Sequence, residues 1–342
     1  MSTKSSIFSF LLCSLVLMSC GKESLDFHLV TRNNSIELKQ ETEELEGETI
    51  DIIENLDGLY TDVHYYNDLL YVLNQDDHYA VDVIDPSTGN LVLNIGSIGE
   101  GDYDFRNSET LKVVDVDSIV QIYDFSRKSV SLFDSESGGF IEQVYLSDEY
   151  TTAQSALLYS DRRLVSVDLQ SDAEFTVSVD GIVEHAPDFH VNSATCSLSE
   201  LKPRNVVVLK GSNKILTSNF AWNYINLYSI NEDDPIKLKY GTNENIVDGQ
   251  YIGRDHMYYY DTGYEDNTVF ALYLGVSTTK KLIMANIGII KSELHSYNLE
   301  DSTATRYILD RLVNACSYDK ENKFYYCIDE ENNDHPIVLF KT

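Results

Sequence analysis

Two short apolar runs, Ser118-Ile119-Val120-Gln121-Ile122-Tyr123-Asp124 and Ser129-Val130-Ser131-Leu132-Phe133-Asp134, are separated by four residues. Both are rich in β-branched and aromatic residues and are bounded by polar residues, which is typical of two paired β-strands. The chain has no long segment of helical periodicity. This stretch therefore predicts a strand pair in an all-β protein.

The same unit of strand, short polar loop and strand recurs along the chain. The predicted pairs are 69–73 with 80–85, 118–124 with 129–134, 163–168 with 175–180, 214–218 with 224–229, 268–272 with 293–297, and 323–329 with 336–340. Successive units lie 45 to 55 residues apart, measured at Leu70, Ile119, Leu164, Ile215, Val269 and Phe324. That period fits one four-stranded propeller blade with its loops. We therefore predict a six-bladed β-propeller of four-stranded antiparallel blades over residues 50–342, with seven blades as the alternative. Residues 50–53 are expected to close the ring by adding a strand to the last blade.

The beginning of the chain predicts export. A basic residue, Lys4, precedes an apolar run over residues 7–18, which is too short to span a bilayer. The run leads into Leu17-Met18-Ser19-Cys20, which resembles the bacterial lipobox. On this interpretation residues 1–19 are a signal peptide and Cys20 carries the lipid; the alternative is an ordinary signal peptide with an unrelated cysteine. Residues 20–49 are polar and increasingly acidic, and are expected to form a spacer before the propeller.

The charge of the chain excludes several partners. It has 25 basic and 56 acidic side chains and a formal net charge of -31. Such a surface repels nucleic acid and anionic lipid. Membrane attachment is therefore expected through acyl chains alone, at the cell envelope and on an outer membrane, with the leaflet undetermined.

Three cysteines remain outside the leader and its cleavage point: Cys196, Cys316 and Cys327. Cys316 and Cys327 flank a predicted hairpin turn, so they could pair across two strands of an exported protein. The alternative is buried free thiols that pack as small apolar residues.

A glycine-rich stretch carries a family resemblance. Residues Gly96-Ser97-Ile98-Gly99-Glu100-Gly101-Asp102-Tyr103-Asp104-Phe105 lead into the strand pair quoted above. This resembles the NHL-type propeller repeat and the glycine-rich turn of the TolB-like six-bladed propeller lipoproteins of Bacteroidetes. The resemblance implies a cell-envelope protein and brings no catalytic residues with it. The glycines themselves are expected to permit positive φ and tight packing between blades.

The candidate binding face is built from the loops that join the second and third strands of each blade. The candidate residues on these loops are Asp76, His78, Arg127, Lys128 and Trp222. Trp222 could stack on a sugar ring or a partner side chain, or pack between blades. Arg127 and Lys128 could orient an anionic group, or pair with neighbouring acids.

No motif of a known catalytic centre occurs. The chain has no Gly-x-Ser-x-Gly and no His-Glu-x-x-His. His185 and His190 flank Pro187, which disfavours a shared helical face for a metal. The oxygen-rich loop 329–335 could hold Ca²⁺, but its spacing fits no calcium loop, and no cofactor is predicted. The leading hypothesis is a non-enzymatic module that binds a glycan, peptide or partner protein; the alternative is a propeller hydrolase or lyase acting on a polysaccharide or lactone.

Overall fold

The fold is that of a six-bladed β-propeller, as predicted, in a computed structural model. The structure describes residues 27–30, 35–37, 39–52, 58–75, 78–106, 108–114, 118–146, 153–160, 163–168, 173, 175–179, 182–186, 205–209, 214–218, 224–229, 236–240, 246–247, 250–251, 256–265, 267–277, 291–329, 332 and 336–342. Each blade has four antiparallel strands, and the sheets of blades 4 and 5 carry further strands at their outer edges. Within the described ranges, no helix is long and apolar enough to cross a membrane.

In blades 1 to 5 the four strands follow chain order from the channel outwards, whereas in blade 6 the outermost strand comes from the segment before blade 1. Blades 1 to 3 contain β5 (Tyr60–Tyr66), β6 (Leu69–Asn74), β7 (Tyr79–Asp85) and β8 (Asn90–Ser97); β9 (Ser108–Val114), β10 (Ile119–Asp124), β11 (Ser129–Asp134) and β12 (Phe140–Tyr145); β13 (Ala153–Ser160), β14 (Arg163–Asp168), β15 (Thr176–Val179) and β16 (Ile182–His185). Blades 4 to 6 contain β17 (Asn205–Leu209), β18 (Lys214–Ser218), β19 (Tyr224–Ser229) and β20 (Ile236–Tyr240); β23 (His256–Glu265), β24 (Thr268–Ser277), β25 (Glu293–Asn298) and β26 (Thr303–Leu309); β27 (Val313–Asp319), β28 (Phe324–Asp329), β29 (Ile337–Lys341) and β4 (Glu48–Thr49). A separate two-stranded sheet joins β21 (Ile246–Val247) to β22 (Gln250–Tyr251).

The first strands of all six blades surround a central channel. Each packs against the first strand of the next blade, and the ring closes where β27 meets β5. Between every two neighbouring blades lies one cluster of buried apolar side chains. The second and third strands supply most of these side chains, because both of their faces are covered and their sequences are almost continuously apolar.

The segment before the first blade closes the ring, although not at the predicted residues. The closing strand β4 covers Glu48–Thr49, two residues before the predicted start, and pairs with β29 in blade 6. The N–H of Ile50 continues this pairing by donating to the carbonyl of Ile337, at 2.9 Å.

Part of the acidic segment also lies on the outer edges of the blades. Strand β3 (Lys39–Leu45) runs parallel to β26 as a fifth strand of blade 5. Strand β1 (Phe27–Val30) pairs with β20 of blade 4, and β2 (Ser35–Glu37) pairs with β1. Leu45, at the end of β3, is buried in the cluster between blades 5 and 6.

The glycine-rich stretch forms a closed loop at the crossing from blade 1 to blade 2. Gly96 has a φ of 67°, and a Cβ there would come within 2.5 Å of the Phe105 ring. The Phe105 N–H donates to the carbonyl of Ser97 at 2.7 Å, so the loop folds back on its own start. Phe105 is buried between the two blades, and the loop therefore has a structural role at the blade junction.

Cys316 and Cys327 are joined by a disulfide. The two residues lie directly opposite each other, one on β27 and the other on β28. The bond links the channel strand of blade 6 to the strand behind it.

Candidate functional site

The residues of the predicted binding face lie in different environments. Arg127 donates from its guanidinium to the carbonyl of Asp102 at 2.6 Å and to the carbonyl of Gly101. It thus ties the turn between β10 and β11 to the glycine-rich loop. Lys128, half-buried beside it, has a φ of 52°, and His78 is exposed. Trp222 and Asp76 lie outside the described residues.

The two metal hypotheses lie largely outside the described part of the chain. His190 is outside it, as are five of the seven residues of the 329–335 loop. Among the residues that are described, no group of three or more His, Cys, Asp or Glu side chains could hold a metal ion.

The structure contains a cavity of about 160 Å³ inside the central channel. It is lined by residues from the first strands of all six blades. The lining includes Tyr65, Tyr264, Glu265 and Tyr318, which lie at or next to the ends of their strands. Because successive strands are antiparallel, the cavity reaches the end of the propeller opposite to the loops of the predicted face.

Alternation along the first strands brings polar side chains into this cavity. Asp62 and His64 are two residues apart on β5 and therefore lie on one side of the strand. Lys112 comes from β9 and Asp261 from β23. All four line the cavity, so charged residues from three blades are brought together although 199 positions separate Asp62 from Asp261.

Asp62 and Asp261 play matching roles in the ring. Asp62 accepts hydrogen bonds from the N–H of Val63 at 2.8 Å and, on the next blade, from that of Leu111 at 3.2 Å. Asp261 accepts from the N–H of Cys316, also on the next blade, at 2.8 Å. Each carboxylate is thereby fixed in orientation while it faces the cavity.

Burial gives these two acids unusual proton affinities. Burial, together with repulsion from Asp261, raises the pKa of Asp62 to about 7. Burial also raises the pKa of Asp261 to about 6, against the opposing effect of its N–H partners and Lys112. The pair therefore exchanges protons near neutral pH, as one coupled unit.

His64 stands beside Lys112 as a neutral ring. The Lys112 Nζ lies 3.0 Å from His64 Nε2. Burial, followed by the charge of Lys112, holds the pKa of His64 well below its usual range. Because an ammonium group can only donate, Nε2 is the acceptor and the ring proton is on Nδ1.

Three buried polar atoms of the lining have no hydrogen-bond partner among the described residues. They are the Nδ1 of His64, the Oδ1 of Asn314 and the Oγ1 of Thr61. A buried polar atom without a partner costs about 1–3 kcal/mol. Such atoms in one cavity indicate a place where water or a ligand completes the bonding.

This site was not predicted from the sequence, because the second and third strands, which are apolar, are the part of each blade that can be recognised there. Several first strands carry polar residues among their apolar ones, as in Thr61-Asp62-Val63-His64, and are therefore harder to recognise. The sequence does contain one sign of the site: an aspartate in the first strand, shortly before the apolar second strand of the same blade. It occurs at Asp62 and again at Asp261.

Comparison with known proteins establishes the fold and nothing finer. No protein-family model matches the chain, and no curated protein matches it. The chain is similar to a solved protein of Bacteroides fragilis that carries the provisional description of exported protein. The two are 13% identical over 89% of this chain and 98% of that one, with a TM-score of 0.58.

Two further solved structures share the architecture. A member of the DUF4221 family from Bacteroides vulgatus is 10% identical over 92% of this chain and 97% of that one, with a TM-score of 0.50. The β-propeller domain of Cps50 (Swd1) from Myceliophteria thermophila is 10% identical over 86% and 99%, with a TM-score of 0.51. The resemblance to TolB-like propellers with NHL-type repeats stays a prediction.

Proposed function

We propose that the protein is a lipid-anchored cell-envelope protein whose propeller is a non-enzymatic binding module. Its ligand is a small polar molecule, or the end group of a glycan or peptide, that enters the channel cavity. The predicted signal peptide over residues 1–19, followed by Cys20, supports the location, as does the exported description of a structural relative. The single observation that carries the binding function is the set of three unpartnered buried polar atoms in one cavity.

The size and chemistry of the cavity limit the ligand. Cavities of about 150 Å³ in other proteins accept one six-membered ring, and this cavity is about 160 Å³. Its lining combines donors with carboxylate and amide acceptors. A hydroxylated ring or a short polar side chain fits these conditions better than an apolar molecule.

The test is a binding screen on the full-length protein purified in detergent. Monosaccharides, amino sugars, amino acids and polyols are screened by ligand-observed NMR, and hits are measured by calorimetry. We expect Asn314→Ala to weaken a hit by about 10-fold, since a buried hydrogen bond is lost. The matched control Asn90→Ala changes an exposed amide on β8 and should leave affinity unchanged. Absence of any hit, or equal loss in both variants, would contradict the proposal.

One observation favours the enzymatic alternative. Two carboxyl groups with raised pKa values in a cavity are what a general acid and base require. Incubation with chromogenic glycosides, polysaccharide fragments and lactones tests it. Turnover that disappears in both Asp62→Asn and Asp261→Asn would replace the binding function with a hydrolase or lyase.

A further inference from the structure

We infer that the ligand of the channel is a cation, namely a primary ammonium group carried on a hydroxylated body about the size of one six-membered ring. This inference rests on the proposed binding function and specifies its ligand class.

The balance of charge in the cavity is negative. Among the described residues that line it, Asp62, Asp261 and Glu265 are acidic and Lys112 is the one basic side chain. Glu265 is paired with Lys320 outside the lining, at 3.2 Å. His64 contributes no positive charge, because burial and Lys112 keep its ring neutral. The two aspartates therefore face a single lysine.

The acceptors match the donors of an ammonium group. Asp62 and Asp261 are fixed by backbone N–H groups, and a carboxylate has about four acceptor positions in total. The Oδ1 of Asn314 is a third acceptor, with no partner of its own. An ammonium group has three N–H donors and no acceptor. These three oxygens could therefore receive all of its hydrogen bonds.

We expect His64 to bind the part of the ligand that lies away from its ammonium group. Its buried Nδ1–H makes no hydrogen bond of good geometry, although the backbone of Tyr65 favours the protonated ring, and Lys112 lies beside it. A hydroxyl oxygen on the ligand body satisfies the Nδ1–H. A bare metal ion has no such group, and Ca²⁺ requires six to eight oxygen ligands.

Cation binding should displace a proton. At pH 6 to 7 the Asp62–Asp261 pair is partly protonated, and a bound ammonium favours the ionised form of both acids. Affinity should therefore rise with pH and level off above about pH 7.5. The other titratable lining groups are Glu265, Lys112, His64, Tyr65, Tyr260, Tyr264 and Tyr318. Burial lowers the pKa of His64 and raises the pKa values of Tyr65 and Tyr318, which moves all three away from this range.

Three probes with the same cyclohexane body test the charge, and the amine and the diol are also matched in size. The full-length protein is titrated at pH 8 with 4-aminocyclohexanol, cyclohexane-1,4-diol and 4-hydroxycyclohexanecarboxylate. The amine is cationic and the carboxylate anionic throughout pH 6–8, since such groups titrate near 10 and 4. We expect the amine to bind about 10 to 100-fold more tightly than the diol, the range for charged hydrogen bonds, and the carboxylate to show no binding. A diol or carboxylate that binds as tightly as the amine, or failure of all three, overturns the inference.

Variants and proton counting complete the experiment. Asp261→Asn can still accept from the Cys316 N–H, so its fold is checked by circular dichroism; it should bind the amine at least about 10-fold more weakly. The control Glu142→Gln removes an exposed charge on β12 and should bind normally. Titration in two buffers of different ionisation enthalpy should show proton release at pH 6.5, and its absence contradicts the inference. A hit in the broader screen that is neutral or anionic keeps the binding function and refutes the cation; no hit at all refutes both.

Discussion

At the residue scale, Asp62 combines a structural role with the binding role proposed for it. Its carboxylate links the channel strands of blades 1 and 2 through the N–H of Leu111. Burial, followed by repulsion from Asp261, raises its pKa to about 7. At neutral pH the folded protein therefore keeps part of a proton there that the unfolded chain has released.

We expect the effect of Asp62→Asn on stability to become more favourable as pH rises. The pKa of Asp62 in the folded state lies above its unfolded value of 3.8, so wild-type stability decreases as pH rises from about 4 to 7. Asparagine avoids this loss; its one amide oxygen accepts from Leu111, while its NH2 group faces the Val63 N–H at a cost that is the same at every pH. The difference in melting temperature, variant minus wild type, should therefore grow by roughly 2–5 °C between pH 4 and pH 8. An equal difference at both pH values would contradict this account.

Glu293 shows the opposite behaviour within blade 5. Burial alone would raise its pKa, but hydrogen bonds from Arg306 and His295 outweigh burial and lower the pKa to about 2. The Arg306 Nε lies 2.7 Å and the His295 Nε2 3.2 Å from the same carboxylate oxygen. This network lies outside the channel lining and stabilises the blade.

Glu293→Gln should therefore destabilise the protein in a pH-dependent way. Because the pKa of Glu293 is lower in the folded state, its contribution is complete above about pH 4.5 and is lost as pH falls towards 2. We expect the variant to lose about 2 kcal/mol of unfolding free energy at pH 7, measured with urea, and the difference to shrink below pH 4. Glu142→Gln serves as the exposed control. A constant difference from pH 3 to 7 would rule out the ion pair as the cause.

At the element scale, β3 and β4 hold the outer edges of blades 5 and 6 together. Arg311, in the turn between β26 and β27, donates to the carbonyl of Gly47 at 3.0 Å and pairs with Asp310 at 3.0 Å. Lys341 pairs with Glu48 at 2.6 Å. Leu45 adds the apolar part of this junction.

Leu45→Ala should weaken the junction measurably. The side chain is 8% exposed and contacts a cluster drawn from both blades. Its truncation should cost about 3 kcal/mol in urea-induced unfolding, a typical value for a buried leucine. The control Thr42→Ala alters an exposed residue of the same strand. If both variants unfold at the same urea concentration as the wild type, β3 does not support the ring.

The sequence predicted some elements well and others poorly for a common physical reason. The second and third strands are covered on both faces, so runs such as 119–123 are almost uniformly apolar and easily recognised. The first strands face a polar channel and the fourth strands face solvent; Phe140–Tyr145 is exposed at four of six positions. The closing strand lies at Glu48–Thr49, two residues before the predicted one. Strand pairing uses backbone groups and does not require apolar side chains, whereas the prediction was based on the apolar residues that follow.

At the scale of the whole molecule, the ring brings distant residues into one cavity, and no local motif encodes this. Asp62, Lys112 and Asp261 meet because six first strands surround one axis. The blade count could be predicted from the period of the repeat. Which residues face each other across the channel could not be predicted. That depends on the position of each residue of the first strands along the channel axis.

The proposed location of the molecule rests on Cys20. We expect Cys20→Ser to move the protein from the membrane to the soluble fraction and to abolish incorporation of a labelled fatty acid, since a net charge of -31 disfavours binding to anionic lipid. Cys13→Ser, within the apolar part of the leader, is the matched control and should remain in the membrane fraction. Retention of the Cys20→Ser protein in membranes would show that another feature attaches it.

The pairing of β4 with β29 determines when the ring can close during synthesis of the chain. Thr49 must meet Val338, which is made about 290 residues later; at about 5–20 residues per second the interval is roughly 15–60 s. Until then β4 has no partner and Leu45 lacks the blade 6 half of its cluster. A chain released early from the ribosome would keep an open seam beside blade 5, available to proteases. Only a chain that has been synthesised as far as β29 can therefore close the ring.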